Sequence, residues 1–192
     1  DEMKTKWIAA GALLLAMRTP ASAHRLDEYL QATTLSVDHG RVQVQMRLTP
    51  GVAVFSRVFA TIDADRNGVL SQAEQRAYAE RVQHDLAFTM DGNRLQVRLS
   101  SWKFAKTAEM KAGRGDIQME FHAEAPHSNG SHRLVVENHH QNRIAVYLIN
   151  GLVPRDPSIQ VTEQRRNTQQ SWYELDYVQA GAPSILPAIT KR

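Results

Sequence analysis

The chain contains no cysteine. That single absence removes disulfides, thiolate metal centres, thiol catalysis and lipidation of an amino-terminal cysteine. Several catalytic patterns are missing as well: there is no G-x-S-x-G, no glycine-rich phosphate loop and no H-E-x-x-H. Carboxylate pairs such as Asp27-Glu28 are adjacent rather than spaced to face one another. No enzymatic activity is therefore expected. Basic residues are scattered without a long run, which gives no reason to expect a nucleic-acid partner. Beyond the first twenty or so positions no stretch approaches the roughly 18 apolar residues of a membrane span, so the exported product is expected to be soluble.

What is present begins with a leader-like amino terminus. Met3-Lys4-Thr5-Lys6 is basic, Trp7 to Met17 is a short apolar run, and Ala21-Ser22-Ala23 is a small-residue A-x-A site. The order is that of a secretory signal peptide over residues 1–23, with Asp1 and Glu2 preceding the expected initiator Met3. Cleavage after Ala23 leaves residues 24–192, enough for one domain with its own core. Loss of Lys4, Lys6 and Arg18 together with Asp1 and Glu2 lowers the net charge from +3 to +2. The expected location is periplasmic or secreted.

The most specific stretch is Asp63-Ala64-Asp65-Arg66-Asn67-Gly68-Val69-Leu70-Ser71-Gln72-Ala73-Glu74. It fits D-x-[DN]-x-[DN]-G-x5-E, the calcium loop of an EF-hand. Calcium takes six to eight oxygen ligands, and this loop offers them in order. Asp63, Asp65 and Asn67 stand at positions 1, 3 and 5. Val69 at position 7 offers its carbonyl, Ser71 at position 9 acts through a water, and Glu74 at position 12 supplies both carboxylate oxygens. Gly68 occupies position 6, where the chain turns sharply and a side chain is expected to be in the way. Asp, Asn and Gly also crowd ordinary surface turns, so the flanks matter. Thr49-Pro50 reads as an N-cap and N1 pair, followed by an apolar face of Phe55, Val58, Phe59 and Ile62. Ser71 and Glu74 also form a capping box, and Tyr78, Ala79, Val82 and Leu86 make a second apolar stripe. Leu70, at position 8, is expected either to pack internally or to pair with a second copy.

The rest alternates with period two. Leu30 to Leu48 reads as a hairpin about Asp38-His39-Gly40, and Leu86–Met90 as a second hairpin with Leu95, Val97 and Leu99 through Asp91-Gly92-Asn93. Trp102 to Gly115 gives no clear pattern. Ile117 to Ala123 is a strand, Arg133–Asn138 and Arg143–Asn150 read as a pair, and Ile159–Gln164 and Trp172–Tyr177 complete the set. The fold class is mainly β (α+β): an antiparallel β-sandwich or barrel-like domain over 24–179, with an EF-hand helix-loop-helix inserted between strands at about 50–86. Residues 180–192 read as a flexible tail or linker.

Eight histidines raise a competing chemistry. Imidazole suits nickel, copper and zinc. His139-His140 lies in an expected turn, and His24 would carry a free α-amine that can chelate Cu(II) with its imidazole. Either would make the protein a transition-metal chaperone or the soluble part of a nickel or cobalt transport system.

One family resemblance covers nearly the whole chain after the leader. It rests on His24-Arg25-Leu26-Asp27-Glu28-Tyr29-Leu30-Gln31-Ala32, Leu48-Thr49-Pro50-Gly51-Val52, Asp63–Gly68, Val146-Tyr147-Leu148 and Leu175-Asp176-Tyr177. The chain resembles the extracytoplasmic amino-terminal region of HupE/UreJ-like bacterial membrane proteins, a group linked to nickel or cobalt transport. The resemblance implies a membrane transport protein as a partner; it assigns transport to none of these residues. The leading expectation is an exported domain that holds Ca²⁺ in one EF-hand loop, in a structural or regulatory role, with self-association through that loop as a further possibility.

Overall fold

The computed structural model describes residues 27–181. The expected leader, His24 and the tail from residue 182 lie outside the described residues. Ten strands form two five-stranded sheets. In chain order the strands are β1 (Tyr29–Asp38), β2 (Arg41–Pro50), β3 (Leu86–Met90), β4 (Asn93–Arg94), β5 (Val97–Phe104), β6 (Ile117–Glu124), β7 (Gly130–Asn138), β8 (Ala145–Gly151), β9 (Ile159–Arg166) and β10 (Trp172–Gln179). One sheet runs β5-β6-β2-β1-β8, the other β4-β3-β7-β10-β9. The protein is mainly β, with helices α1 (Phe55–Ile62) and α2 (Gln72–His84) between β2 and β3, and α3 (Thr107–Lys111) between β5 and β6.

Alternation in the sequence becomes alternation in burial. Along β2, Val42, Val44, Met46 and Leu48 are buried while Arg41, Gln43, Gln45 and Arg47 face out. β10 buries Tyr173, Leu175 and Tyr177, with Glu174 also buried between the first two. Side chains of both sheets and of α1 and α2 fill one core. Phe55, Val58 and Ile62 of α1 enter it, each contributing about 1.5–3 kcal/mol relative to an exposed position.

Four expectations are corrected. First, the pairing is not wholly antiparallel: β8 runs parallel to β1, Tyr29 opposite Ala145. Second, Arg133–Asn138 and Arg143–Asn150 do not pair, because the turn between them carries the chain from one sheet to the other. Third, the Leu86–Met90 hairpin closes over only two residues, Asn93 and Arg94. The chain then crosses to the other sheet, where Gln83 of α2 donates to the Val97 carbonyl (3.0 Å) and accepts from the Leu99 N–H (3.1 Å). Fourth, Thr49 and Pro50 do not cap a helix; they pair with Leu30 and Tyr29, and α1 starts only at Phe55 after a turn at Gly51. The strand ladder competes successfully for those two residues, and proline ends it without wasting a donor.

The free edge of β8 is partly occupied by side chains. Gln170 accepts from the Ile149 N–H (3.4 Å) and Arg166 donates to the Ile149 carbonyl (3.1 Å).

Where β1, α2 and the β7–β8 turn meet, the core is polar. The Tyr29 hydroxyl lies 2.7 Å from that of Tyr78, Tyr78 lies 2.8 Å from His140 Nε2, and His140 Nδ1 lies 2.7 Å from Asp85 Oδ2. One assignment satisfies every link: Tyr29 donates to Tyr78, Tyr78 to Nε2, and Nδ1–H to Asp85. His140 is then neutral, in keeping with burial, which pushes its pKa down against the pull of Asp85. Burial likewise raises both tyrosines. Gln31 donates to the His140 carbonyl (2.9 Å), as does Tyr147 (3.0 Å), and Asn138 donates to Gln31 (2.9 Å). Replacing Tyr78 with Phe leaves His140 Nε2 and the Tyr29 hydroxyl without this partner in a buried site. Urea unfolding is expected to show a loss of about 1–3 kcal/mol, and a neutral result would remove the network from the account of stability.

A second histidine is held in the opposite charge state. Buried His132 has acceptors on both nitrogens: Asp91 Oδ2 at 2.7 Å from Nδ1 and the Ser128 carbonyl at 2.8 Å from Nε2. Only the doubly protonated ring donates to both. Burial opposes the charge, but the bonds to Asp91 and Ser128 outweigh it and raise the pKa above its ordinary 6.5. Because the folded-state value is raised, the stabilisation is full below that ordinary value and fades as pH rises through the folded-state value. Melting temperature is expected to fall with rising pH across this range in the native chain, and to fall less in His132→Gln.

Candidate functional site

The residues from Asp63 to Glu74 join α1 to α2. α1 ends at Ile62, and α2 begins after Ser71, whose hydroxyl accepts the Glu74 N–H (3.3 Å) while the Glu74 carboxylate accepts the Ser71 N–H (2.9 Å). The expected capping box is thus present in both halves.

Between the helices the loop wraps its own carboxylates in backbone donors. Asp63 accepts from Asn67 N (3.1 Å) and Gly68 N (2.9 Å). Asp65 accepts from Asn67 N (3.1 Å) and Asn67 Nδ2 (2.8 Å). Asn67 Oδ1 accepts from Val69 N (2.7 Å). Glu74 reaches back across the loop: Oε1 accepts from Ala64 N (2.7 Å), and Oε2 from the Ser71 hydroxyl (2.7 Å). These bonds hold the Glu74 carboxyl down to about 2, chiefly through the Ser71 side chain and backbone. Asp63 is buried, Asp65 exposed and Glu74 half-buried.

The arrangement brings together one carboxylate oxygen each of Asp63, Asp65 and Glu74, all within 4.8 Å of one another. Oxygens on a common Ca²⁺ at about 2.3–2.6 Å stand at most about 5 Å apart, so the three fit one ion. Asn67 and Ser71 share the loop, while the Val69 side chain points away, 67% exposed, as befits a position whose only oxygen is the carbonyl. Among the described residues this is the one group of three or more acidic or histidine side chains with such convergence.

Gly68 is explained differently than expected. A Cβ placed there meets nothing within 4 Å, so space is not the constraint; its φ of +82° is. Arg66 also adopts a positive φ, +60°, at the cost that conformation carries for a side-chain residue. Leu70 packs partly buried against the core.

No protein-family model and no curated protein matches the chain. The site is therefore read from its own chemistry.

The histidine pair does not present two imidazoles together. His140 is buried with both nitrogens engaged, and His139 faces solvent, 3.0 Å from Glu137. The turn spacing gave no sign of this split. The buried polar nucleus was equally hidden, because Gln31 and Asn138 look like ordinary surface amides in an alternating strand. Among the described residues no helix is long and apolar enough to cross a membrane.

Ser71→Ala removes both the helix cap and the main donor to Glu74. Stability is expected to drop by about 0.5–2 kcal/mol. The Glu74 carboxyl is expected to titrate closer to the ordinary range, a shift that a carbon-detected NMR titration resolves.

Proposed function

We propose that residues 63–74 are an EF-hand calcium loop inserted in an exported sandwich-like β domain, and that the protein binds one Ca²⁺ in a structural or regulatory role. The observation that carries this reading is the convergence of Asp63, Asp65 and Glu74 oxygens at loop positions 1, 3 and 12, around a glycine with positive φ at position 6. In this reading Asn67 supplies the position-5 oxygen, Val69 its carbonyl, and Ser71 a water-mediated contact. The ion supplies the positive charge that three converging carboxylates otherwise lack.

The leader-like amino terminus supports a periplasmic or secreted location, where calcium is plentiful and extracellular modules bind at about 10⁻⁴–10⁻³ M. The resemblance to the amino-terminal region of HupE/UreJ-like proteins supports a membrane transport protein as partner. Inward packing of Leu70 gives self-association through the loop less support than a solitary site.

Calorimetric titration of the full chain with Ca²⁺ tests the reading. One ion is expected to bind, and about 10 mM Ca²⁺ at a dissociation constant near 10⁻⁴ M is expected to stabilise the fold by about 2.7 kcal/mol. Asp63→Ala and Glu74→Gln are each expected to weaken binding at least tenfold. Absence of both a binding heat and a melting shift in the native chain would sink the proposal.

A further inference from the structure

Seven histidines fall among the described residues, and five have a polar partner within the fold. His132 and His140 are bonded through both nitrogens, His122 to Ser100, His139 to Glu137, and His84 stands beside Asp85. Among those residues the two without such a polar partner face each other. His39 sits in the β1–β2 turn and His127 in the β6–β7 loop, with ring centroids 5.3 Å apart and planes at 47°.

That separation has a chemical meaning. Imidazole binds zinc at about 2.0–2.1 Å, so two in-line rings on one tetrahedral ion have centroids about 5 Å apart. The fold also holds His127 in place. Its ring lies on Gly40, where a Cβ would stand 1.9 Å from Cε1, and Gly40 has the positive φ of +73° that the turn requires.

We propose that His39 and His127 form a surface site for a borderline divalent transition cation such as Zn²⁺, separate from the Asp63–Glu74 loop. Imidazole nitrogens select this class over Ca²⁺ and Mg²⁺, which prefer oxygen. The remaining positions on the ion are left to water. The site is open and joins the β1–β2 turn to the β6–β7 loop, so an ion there ties together two segments at one end of the domain.

Titration of the full chain with ZnCl₂, in the presence of saturating Ca²⁺, decides the matter. One Zn²⁺ per chain is expected at this site. His39→Ala and His127→Ala are each expected to weaken it at least tenfold. His24→Ala, His139→Ala and Asp63→Ala are expected to leave it unchanged, which separates this site from the other histidines and from the calcium reading. Circular dichroism melting of each variant checks that the fold is retained, and His39→Gln serves where an alanine variant does not fold. Wild-type affinity in both folded His39 and His127 variants, or no Zn²⁺ binding by the native chain, overturns the proposal.

Discussion

Asp85 anchors a line of hydrogen bonds that ties α2 to β1 and to the β7–β8 turn. It accepts from His140, which accepts from Tyr78, which accepts from Tyr29. These residues come from the end of α2, the β7–β8 turn, the middle of α2 and the start of β1. Apolar contact alone fixes a helix on a sheet loosely in rotation and slide, since burial is non-directional. A line of donors aimed at single acceptors fixes both. Tyr29, Tyr78 and His140 are buried, so each bond lost among them leaves a polar group in a medium that cannot replace water.

That anchor bears on the loop. α2 is fixed on its core side by Tyr78 and along its flank by Gln83, which brackets Val97 and Leu99. Its amino terminus is fixed by Ser71 and Glu74. α1 enters from β2 through Phe55, Val58 and Ile62. The chain between Ile62 and Ser71 is therefore held at both ends by elements that the core has already positioned. Isolated helices of eight and thirteen residues would be marginal in water, so tertiary packing rather than propensity sets their geometry.

Much of this was legible in the sequence, and the misses share a cause. Strands such as Arg41–Pro50 and Trp172–Gln179 declare themselves because one face is apolar. The capping box at Ser71 and Glu74 is a local contact and reads locally. Sheet membership is not local. Nothing near Asn138 or Arg143 says that the chain changes sheets between them, or that β8 will lie parallel to β1. The same holds for His140, whose neighbours in sequence are polar and whose neighbours in space are Tyr29, Tyr78 and Asp85. Thr49-Pro50 is the converse case: a genuine local helix-start pattern overruled by partners twenty residues back. The pattern names three carboxylates whose oxygens the fold brings within 4.8 Å of one another, whereas the role of Gly68 needs coordinates, since its open surroundings show that the backbone and not crowding selects it.

The bonds inside the loop have a consequence for signalling. Asp63, Asp65, Asn67 and Glu74 already have their carboxylate or amide oxygens fastened to backbone N–H groups, so folding itself orders the loop. For the proposed calcium site, ordering done in advance is not a cost of binding, which favours affinity. It also leaves little difference between the loop with and without a ligand, and a ligand shifts a protein between states only as far as it distinguishes them. A loop built this way has little to report. Under the proposed calcium reading its contribution is mechanical, a clasp between two helices on the sheets rather than a message passed to a distant surface.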